Sequence, residues 1–384
     1  MELTSKRLEL KPITLEAVDY IYQHFTNEIT YYMYPCPPKN VDETITFVSK
    51  SMSNFEKKEE IVFVVSHKET HEFLGLMGIH EMHTRTPEVG LWLKKEAHGH
   101  HYGLEGIEAI IQYAKSTLDY DYIIYNCDIR NGASRNIAET LSGIPVKTYN
   151  EINLSGKELH YVQYWIYKQE PTHIKFPVLL FQGDSITDAN RNKSQPYDLG
   201  EGYVSKLLSM NHRAVIINKG ISGNRTIDLI NRWEIDTLNI KPDFLSILIG
   251  INEVWHHYKY GNVLTPAEYK HNYIKLLKEV KEKSPQTQIL MIEPFVFPIG
   301  EYEPIWETDL REEQKIVEEL AQTYADYYIP MQSVLNNYLK NYQMSDILGD
   351  GVHPTDLGHQ LIAKEITKVL RLFMIDYFTK QNIQ

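Results

Sequence analysis

The feature that most constrains this chain is the alternation of short apolar runs with longer amphipathic segments after residue 177. The apolar runs have the length of β-strands and are residues 178–181, 214–218, 244–249, 288–292 and 327–329. The segments among and after them carry apolar residues at helical spacing. Regular alternation of this kind favours a mostly parallel sheet with helices on both faces. The sequence therefore predicts an α/β domain in this half of the chain.

The first apolar run ends abruptly on Gly183, Asp184 and Ser185. The glycine allows a sharp turn, and the serine would then stand at the carboxyl end of a central strand. Open α/β sheets keep their ligand crevices at that edge. A serine placed there can act as a nucleophile, although Gly-Asp-Ser is also ordinary turn composition.

Three further polar blocks supply what an ester hydrolase needs besides a serine. Each lies beside a strand end or a helix start, and the blocks are residues 218–224, 250–253 and 350–354. The chemistry requires an imidazole, a carboxylate that fixes its tautomer, and donors for an oxyanion. Asp350 precedes His353 by three residues, so on a turn it can accept from one ring nitrogen while the other faces Ser185.

These four blocks resemble the SGNH/GDSL hydrolase family over about residues 176–373. The resemblance implies a flavodoxin-like three-layer α/β fold with a parallel sheet. It implies Ser185 as the nucleophile, His353 as the base and Asp350 as the carboxylate that orients it. It also implies an oxyanion hole formed by the N–H groups of Ser185 and Gly223 and the amide of Asn252.

The segments 182–188, 199–204 and 293–298 look like the branch of this family that contains carbohydrate acetyl esterases. That likeness implies hydrolysis of short-chain, mostly O-acetyl, esters of a carbohydrate or similar polar alcohol, without a cofactor. The third block usually ends Asn-Asp in the family, whereas this chain has Glu253 in the second place.

Roles remain open for four residues near the blocks. Asp188 either hydrogen-bonds the turn after Ser185 or acts as a second base. Trp255, His256 and His257 follow the third block, and they either line a substrate pocket or simply pack against the sheet.

The first 170 residues have a different pattern, in which an opening strand and a helical segment over 15–24 are followed by three consecutive strands. Their strand candidates are residues 7–13, 61–65, 73–79 and 88–93. Such a meander favours an α+β domain. After the last of these strands, a loop that contains glycine leads into an amphipathic helix over residues 107–114. Unpaired N–H groups at a helix start favour bound anions, although a plain strand-to-helix connection has the same appearance.

Residues 3–12, the loop 96–106 and residues 128–139 resemble the GNAT acetyltransferase superfamily, in the branch that includes ribosomal-protein N-acetyltransferases. The resemblance implies a mixed sheet with helices, acetyl-CoA as the cofactor, and an amine or alcohol as the acetyl acceptor. It implies that the loop binds the coenzyme A pyrophosphate and that Asn131 and Ser134 lie near the pantetheine arm. The matching loop positions are His98, Gly99, His101 and Gly103, and His101 stands where the family pattern has glycine.

A short polar stretch that contains proline separates the two patterns. We therefore expect a first domain over 1–170, a linker over 171–177 and a second domain over 178–384. The cluster of His98, His100 and His101 has no cysteine or carboxylate beside it at ligand spacing, so no metal site is expected.

Composition narrows the classes of partner. The net charge of -12 gives no basic patch for nucleic acid. Cys36 and Cys127 are too few for a disulfide framework, which favours reduced thiols and a cytoplasmic location. We expect neither secretion nor membrane spanning, because residues 1–7 mix charges without an apolar core and no run of 18 apolar residues occurs. The oligomeric state has no signal in the sequence.

Three interpretations of the chain follow. The favoured one is a serine esterase fused to a GNAT-like domain. The first alternative is a bifunctional protein whose first domain uses acetyl-CoA to acetylate an amine or alcohol. The second alternative is a degenerate GNAT domain that serves only for binding or dimerisation.

Overall fold

The structure of the chain is a computed structural model that describes residues 1–169, 171–172, 174–208, 213–261 and 264–381. The described chain divides into two compact units, Met1–Ile174 with the chain from Ile375 onward, and Lys175–Met374. The linker expected over 171–177 includes His173, which lies outside the described residues. The expected second domain ran to residue 384, whereas Ile375 is buried in the core of the first unit.

The first unit contains a mixed sheet of eight strands in the order β1-β2-β3-β4-β5-β6-β8-β7. The strands are β1 (Leu3–Thr4), β2 (Leu8–Pro12), β3 (Ile61–His67), β4 (Phe73–His80), β5 (Glu88–Leu93), β6 (Tyr122–Asp128), β7 (Ile144–Ile152) and β8 (Glu158–Tyr167). The helices are α1 (Val18–His24), α2 (Val41–Glu56), α3 (Tyr102–Thr117) and α4 (Gly132–Thr140), with 3₁₀ turns at Leu15–Ala17, Ile29–Tyr32 and Lys95–Ala97. The mixed sheet predicted for this half is confirmed.

Among the strands that the structure describes in this sheet, β5 and β6 alone pair in parallel, and their pairing is short. Its register contains only the pairs Glu88↔Ile124 and Val89↔Tyr125, so the later parts of the two strands are not bonded to each other. Helix α3 follows β5 and buries Ile107, Ile110 and Ala114 on one face, as its apolar spacing predicts. The sheet is therefore open between β5 and β6 near the start of α3.

The second unit is built on five parallel strands in the order β10-β9-β11-β12-β13. The strands are β9 (Val178–Gly183), β10 (Val215–Asn218), β11 (Phe244–Leu248), β12 (Gln288–Ile292) and β13 (Tyr327–Ile329). The helices are α5 (Ser185–Asp188), α6 (Tyr203–Leu208), α7 (Thr226–Trp233), α8 (Ile251–Tyr260), α9 (Pro266–Lys283), α10 (Trp306–Tyr324), α11 (Met331–Tyr338), α12 (Met344–Ile347) and α13 (Asp356–Lys380), with a π-helical turn at Glu234–Leu238. The predicted parallel α/β sheet is confirmed.

Helices cover both faces of this sheet because its strands are apolar on both sides. Leu245 packs in the cluster formed with α7, α9 and α10. On the opposite face, the ring of Phe244 lies 5.0 Å from that of Phe373 on α13. Burial on both faces explains why the strands read as continuous apolar runs.

Strand β9 lies between β10 and β11, so the chain reverses its direction across the sheet at this point. Gly183 at the end of β9 pairs with Leu248 at the end of β11, and Asn218 at the end of β10 pairs with Phe181. The loops that follow these strands therefore meet at one edge, the place where such sheets hold ligands.

No helix in the described ranges is both long and apolar enough to cross a bilayer.

Candidate active site

Ser185 is the first residue of α5, directly after β9, and Asp184 shapes the turn between them. The Asp184 side chain caps the helix by accepting a hydrogen bond from the N–H of Ile186 at 3.0 Å. Asp184 is buried, and its desolvation raises the pKa of this carboxyl to about 7. The cap fixes the start of α5 and therefore the direction of Ser185.

Ser185, His353 and Asp350 form one chain of hydrogen bonds. The distance from Ser185 Oγ to His353 Nε2 is 3.0 Å, and from His353 Nδ1 to Asp350 Oδ2 it is 2.7 Å. Asp350 also accepts from the N–H of His353 at 2.7 Å and from that of Val352 at 2.9 Å. Burial alone would raise the pKa of Asp350, but these hydrogen bonds outweigh it and hold the pKa below its usual value.

The turn that carries Asp350 and His353 depends on Gly351. Its φ of +90° lies in the region that favours glycine, and a Cβ there would stand 2.2 Å from the carbonyl oxygen of Ile299. The imidazole of His353 also packs beside Trp255, with 5.7 Å between ring centroids. Backbone and packing together hold the imidazole against Ser185.

The three predicted oxyanion donors follow three adjacent strands of the sheet. Ser185 follows β9, Gly223 lies in the loop after β10, and Asn252 is in the first turn of α8 after β11. Gly223 has a φ of +79°, and the nearest atom to a Cβ built there is His256 Cε1 at 3.9 Å. Asn252 is buried, and its Nδ2 donates to the carbonyl oxygen of Asn224 at 3.1 Å, which uses one of its two N–H groups.

Asp188 connects the turn after Ser185 to the loop that carries Gly223. Its Oδ2 accepts from the N–H of Ser222 at 2.8 Å and its Oδ1 accepts from the N–H of Arg191 at 3.2 Å. Lys193 Nζ lies 2.9 Å from Oδ2. Of the two roles left open by the sequence, these bonds favour the one in which Asp188 holds the turn.

Glu253 occupies the position where the family usually has aspartate, and its longer side chain reaches helix α7. Its Oε1 accepts from the N–H of Thr226 at the start of that helix. Its Oε2 has no hydrogen-bond partner in the described parts of the chain. Glu253 is 1% exposed, and its desolvation raises the pKa to about 8, which favours the neutral form of the carboxyl.

Trp255 and His256 lie beside the catalytic groups, whereas His257 points elsewhere. Trp255 contacts the ring of His353, and His256 is the side chain nearest to the space above Gly223. Burial, followed by the charge of Arg225, lowers the pKa of His256. His257 stacks on Tyr258 and lies 3.6 Å from a carboxylate on α10, outside this group.

In the first unit, the loop before α3 presents backbone N–H groups. The N–H groups of residues 101–104 form no hydrogen bond within the described chain. His101 has a φ of +60°, the left-handed conformation that the family's glycine would favour, and Gly99 has a φ of +81° with open space around it. His98 is turned toward the sheet, with its Nε2 3.0 Å from the oxygen of Leu93.

Gly103, Asn131 and Ser134 have contacts that explain their residue types. A Cβ on Gly103 would lie 2.9 Å from Ile137 Cδ1, so glycine allows α3 to approach α4. The Asn131 side chain caps α4 by accepting from the N–H of Ser134 at 3.2 Å, and Ser134 Oγ lies 2.8 Å from the hydroxyl of Tyr125. The structure thus brings Asn131 and Ser134 together at the end of β6, while the four predicted loop residues lie after β5.

The loop before α3 has the chemistry that would bind the pyrophosphate of acetyl-CoA. The N–H groups of residues 101–104 point from a helix start, and His101 keeps the glycine-like backbone conformation despite its side chain. Strands β5 and β6 are neighbours in the sheet, so the loop after β5 and Ser134 after β6 follow adjacent strands. A group of three or more His, Cys, Asp or Glu that could hold a metal ion is absent from the described ranges.

Two family models match the chain. The GDSL-like lipase/acylhydrolase family matches residues 181–361, and the acetyltransferase (GNAT) domain matches residues 7–142. An acetylxylan esterase from Geobacillus stearothermophilus is 33% identical over 198 residues, which cover 48% of this chain and 90% of that protein.

Two solved structures are also similar to the chain. A GDSL-like lipase from Parabacteroides merdae is 34% identical and covers 54% of this chain and 96% of its own, with a TM-score of 0.46. The structure of the Geobacillus stearothermophilus acetylxylan esterase is 32% identical and covers 52% and 94%, with a TM-score of 0.45. The chain belongs to the GDSL-like lipase/acylhydrolase family, as an enzyme whose acetyl esterase-like hydrolase domain follows a GNAT acetyltransferase domain.

Proposed function

We propose that the second unit is a serine esterase that hydrolyses short-chain acyl esters, above all O-acetyl esters, of a carbohydrate or similar polar alcohol. The observation that carries the proposal is the continuous hydrogen-bond chain from Ser185 through His353 to Asp350. The similarity to an acetylxylan esterase supports acetyl as the acyl group and a carbohydrate as the alcohol.

The proposed reaction begins with attack of Ser185 Oγ on the ester carbonyl. His353 Nε2 takes the hydroxyl proton, and Asp350 stabilises the resulting imidazolium through Nδ1. The tetrahedral oxyanion accepts hydrogen bonds from the N–H groups of Ser185 and Gly223 and from the amide of Asn252. On collapse, the C–O bond to the alcohol breaks and His353 returns the proton to the leaving oxygen.

The second half of the reaction repeats these steps with water. His353 removes a proton from a water molecule that attacks the acetyl-serine carbonyl, and the same donors hold the oxyanion. On collapse the C–O bond to Ser185 breaks, His353 returns its proton to Ser185 Oγ, and acetic acid leaves and ionises to acetate. One water molecule per ester balances the whole reaction.

This proposal is tested by finding which class of acetylated compound the protein hydrolyses fastest. Acetate release from acetylated xylo-oligosaccharides, acetylated monosaccharides and acetylated peptides would be measured with the full chain and with Ser185→Ala. We expect the sugar esters to be hydrolysed by the wild type and not by the variant. Hydrolysis of acetylated peptides alone would contradict the carbohydrate assignment.

We also propose that the first unit binds acetyl-CoA and transfers its acetyl group to an amine or alcohol. The unpaired N–H groups of residues 101–104 support pyrophosphate binding, and the match to a GNAT domain supports the cofactor. Bound acetyl-CoA would supply the activated thioester, while the chain holds its diphosphate at the start of α3. A domain used only for binding or dimerisation is the competing hypothesis. Calorimetric titration with acetyl-CoA separates them, because such a module would give no heat.

The domain limits 1–170, 171–177 and 178–384 stay a prediction, with one activity in each domain; the compact units differ from them in that the chain from Ile375 onward groups with the first unit. The cytoplasmic location also stays a prediction, which is supported by Cys36 and Cys127 being free thiols. Limited proteolysis of the full chain would test the limits, since cleavage is expected first within residues 171–177.

A further inference from the structure

Arg232 on helix α7 connects the strand before Ser185 to the loop after β10. Its Nη1 donates to Oε1 of Gln182 at 2.8 Å, and its Nε donates to Oδ1 of Asn224 at 2.8 Å. Its Nη2 donates to the carbonyl oxygen of Gly183 at 3.4 Å. The side chain of Arg232 is only 14% exposed. One guanidinium therefore holds two separate segments of the active-site edge.

Both segments carry candidate oxyanion donors. Gly183 lies two residues before Ser185, and Asn224 directly follows Gly223. The carbonyl oxygen of Asn224 also accepts the hydrogen bond from Asn252 Nδ2. The position of Asn224 therefore sets the spacing of all three donors.

The charge of Arg232 is balanced without involving any reacting group. Asp236 Oδ2 lies 3.2 Å from Arg232 Nη1, and its Oδ1 lies 3.0 Å from Lys219 Nζ. The backbone oxygen of Asp236 accepts from Gln182 Nε2 at 2.9 Å. The guanidinium is thus held on several sides, and its planar fork directs each donor in a fixed direction.

We propose that Arg232 is a positioning residue for the oxyanion hole, an inference that rests on the proposed esterase function. It fixes the distance between the N–H groups of Ser185 and Gly223 by bonding Gln182 and Asn224 at once. A lysine keeps the charge beside Asp236 but cannot reproduce the fork. A shift of about 1 Å in a group that binds the transition state can lower a rate on the order of 100-fold.

The test compares Arg232→Lys with Lys219→Met, which removes the other cation beside Asp236 and touches neither Gln182 nor Asn224. Hydrolysis of an aryl acetate by the full chain would be followed across pH. We expect Arg232→Lys to lower kcat by about 10-fold or more, with KM changed by less than about 3-fold. The shape of the pH profile should be unchanged, because the triad is intact. Lys219→Met should retain the wild-type kcat. A wild-type kcat in Arg232→Lys, or equal losses in both variants, would overturn the proposal.

A second variant keeps the inference testable if Arg232→Lys does not fold. Asn224→Leu removes the contact from the loop side and leaves Arg232 with Asp236. We expect it to lower kcat by a similar factor, and a wild-type kcat in Asn224→Leu would overturn the proposal. Where Arg232→Lys folds, the double variant should lose little more than either single variant, because both changes break one connection. Losses that multiply in the double variant would overturn the proposal.

Different results would refute the esterase function and the role proposed for Arg232. A wild type that hydrolyses no acetyl ester would refute the esterase. Inactivation by an aryl phosphonate ester would still report the oxyanion donors, because phosphonylation of Ser185 places a charged oxygen among them. We expect slower inactivation of Arg232→Lys than of Lys219→Met, and equal rates would refute the role of Arg232.

Discussion

Replacing Glu253 with glutamine should make the stability of the protein less dependent on pH. The glutamine keeps an oxygen that can accept from Thr226 N–H, and it cannot titrate. Glu253 Oε2 has no hydrogen-bond partner among the described residues. Replacing this oxygen with the amide nitrogen of glutamine therefore breaks no hydrogen bond. We therefore expect the variant to fold and to resemble the neutral form of the wild type.

The sign and size of the effect follow from the pKa of Glu253. Burial raises this pKa to about 8, whereas a glutamate in an unfolded chain titrates near 4.3. Between these two pKa values Glu253 keeps its proton in the native state and releases it in the unfolded state. The free energy of unfolding is therefore highest below the pKa of the unfolded state and falls as pH rises toward the pKa of the native state. Each pH unit in this window costs about 1.4 kcal/mol, which gives a loss of about 3 kcal/mol from pH 5 to pH 7.

Denaturant unfolding of wild type and Glu253→Gln at pH 5 and pH 7 measures this difference directly. The variant should gain about 3 kcal/mol of unfolding free energy relative to the wild type over that interval. Thr226→Ser changes the neighbouring side chain without removing a titrating group, so its difference from wild type should not vary with pH. The difference in unfolding free energy between Glu253→Gln and wild type could also be the same at pH 5 and pH 7. The buried carboxyl would then be ionised at both pH values, and the reasoning would be refuted.

Three further predictions concern the chemistry of the two domains. Asp350→Asn should lower kcat for an aryl acetate by roughly 100-fold or more, because the imidazole loses the carboxylate that orients it. An unchanged kcat would mean that packing against Trp255 alone orients His353. The kcat/KM should fall from acetyl to octanoyl esters, and a rise would favour a lipase-like pocket instead. His101→Gly should bind acetyl-CoA at least as tightly as wild type in calorimetry, because glycine adopts a φ of +60° without strain; weaker binding would mean that the imidazole itself holds the cofactor.

The edge of the parallel sheet could be predicted from sequence because strand ends are marked locally. The apolar run ending at Gly183 and the polar residues after each strand place Ser185, Gly223 and Asn252 at one edge once the sheet is parallel. Asp350 and His353 lie three residues apart on one turn, so their contact also depends on residues that are close in sequence.

The connections among those loops could not be predicted, because they depend on side chains that meet only in the folded protein. Arg232 and Asp236 read as an ordinary i,i+4 ion pair on a helix, and nothing near them indicates a bond to Asn224. Glu253 departs from the family motif in the sequence, and its contact with Thr226 forms only in the folded protein. The membership of Ile375 in the first unit is likewise a tertiary contact of a long helix.

Ser185 is the proposed nucleophile of the acetyl esterase, and replacement of this one side chain tests that role. The measurement is kcat for an aryl acetate with wild type and Ser185→Ala, both shown to be folded by circular dichroism. We predict a fall of about 1,000-fold or more in the variant, since only the oxyanion donors and substrate binding would remain. A rate within a few-fold of wild type would contradict the claim and assign the hydrolysis to another group.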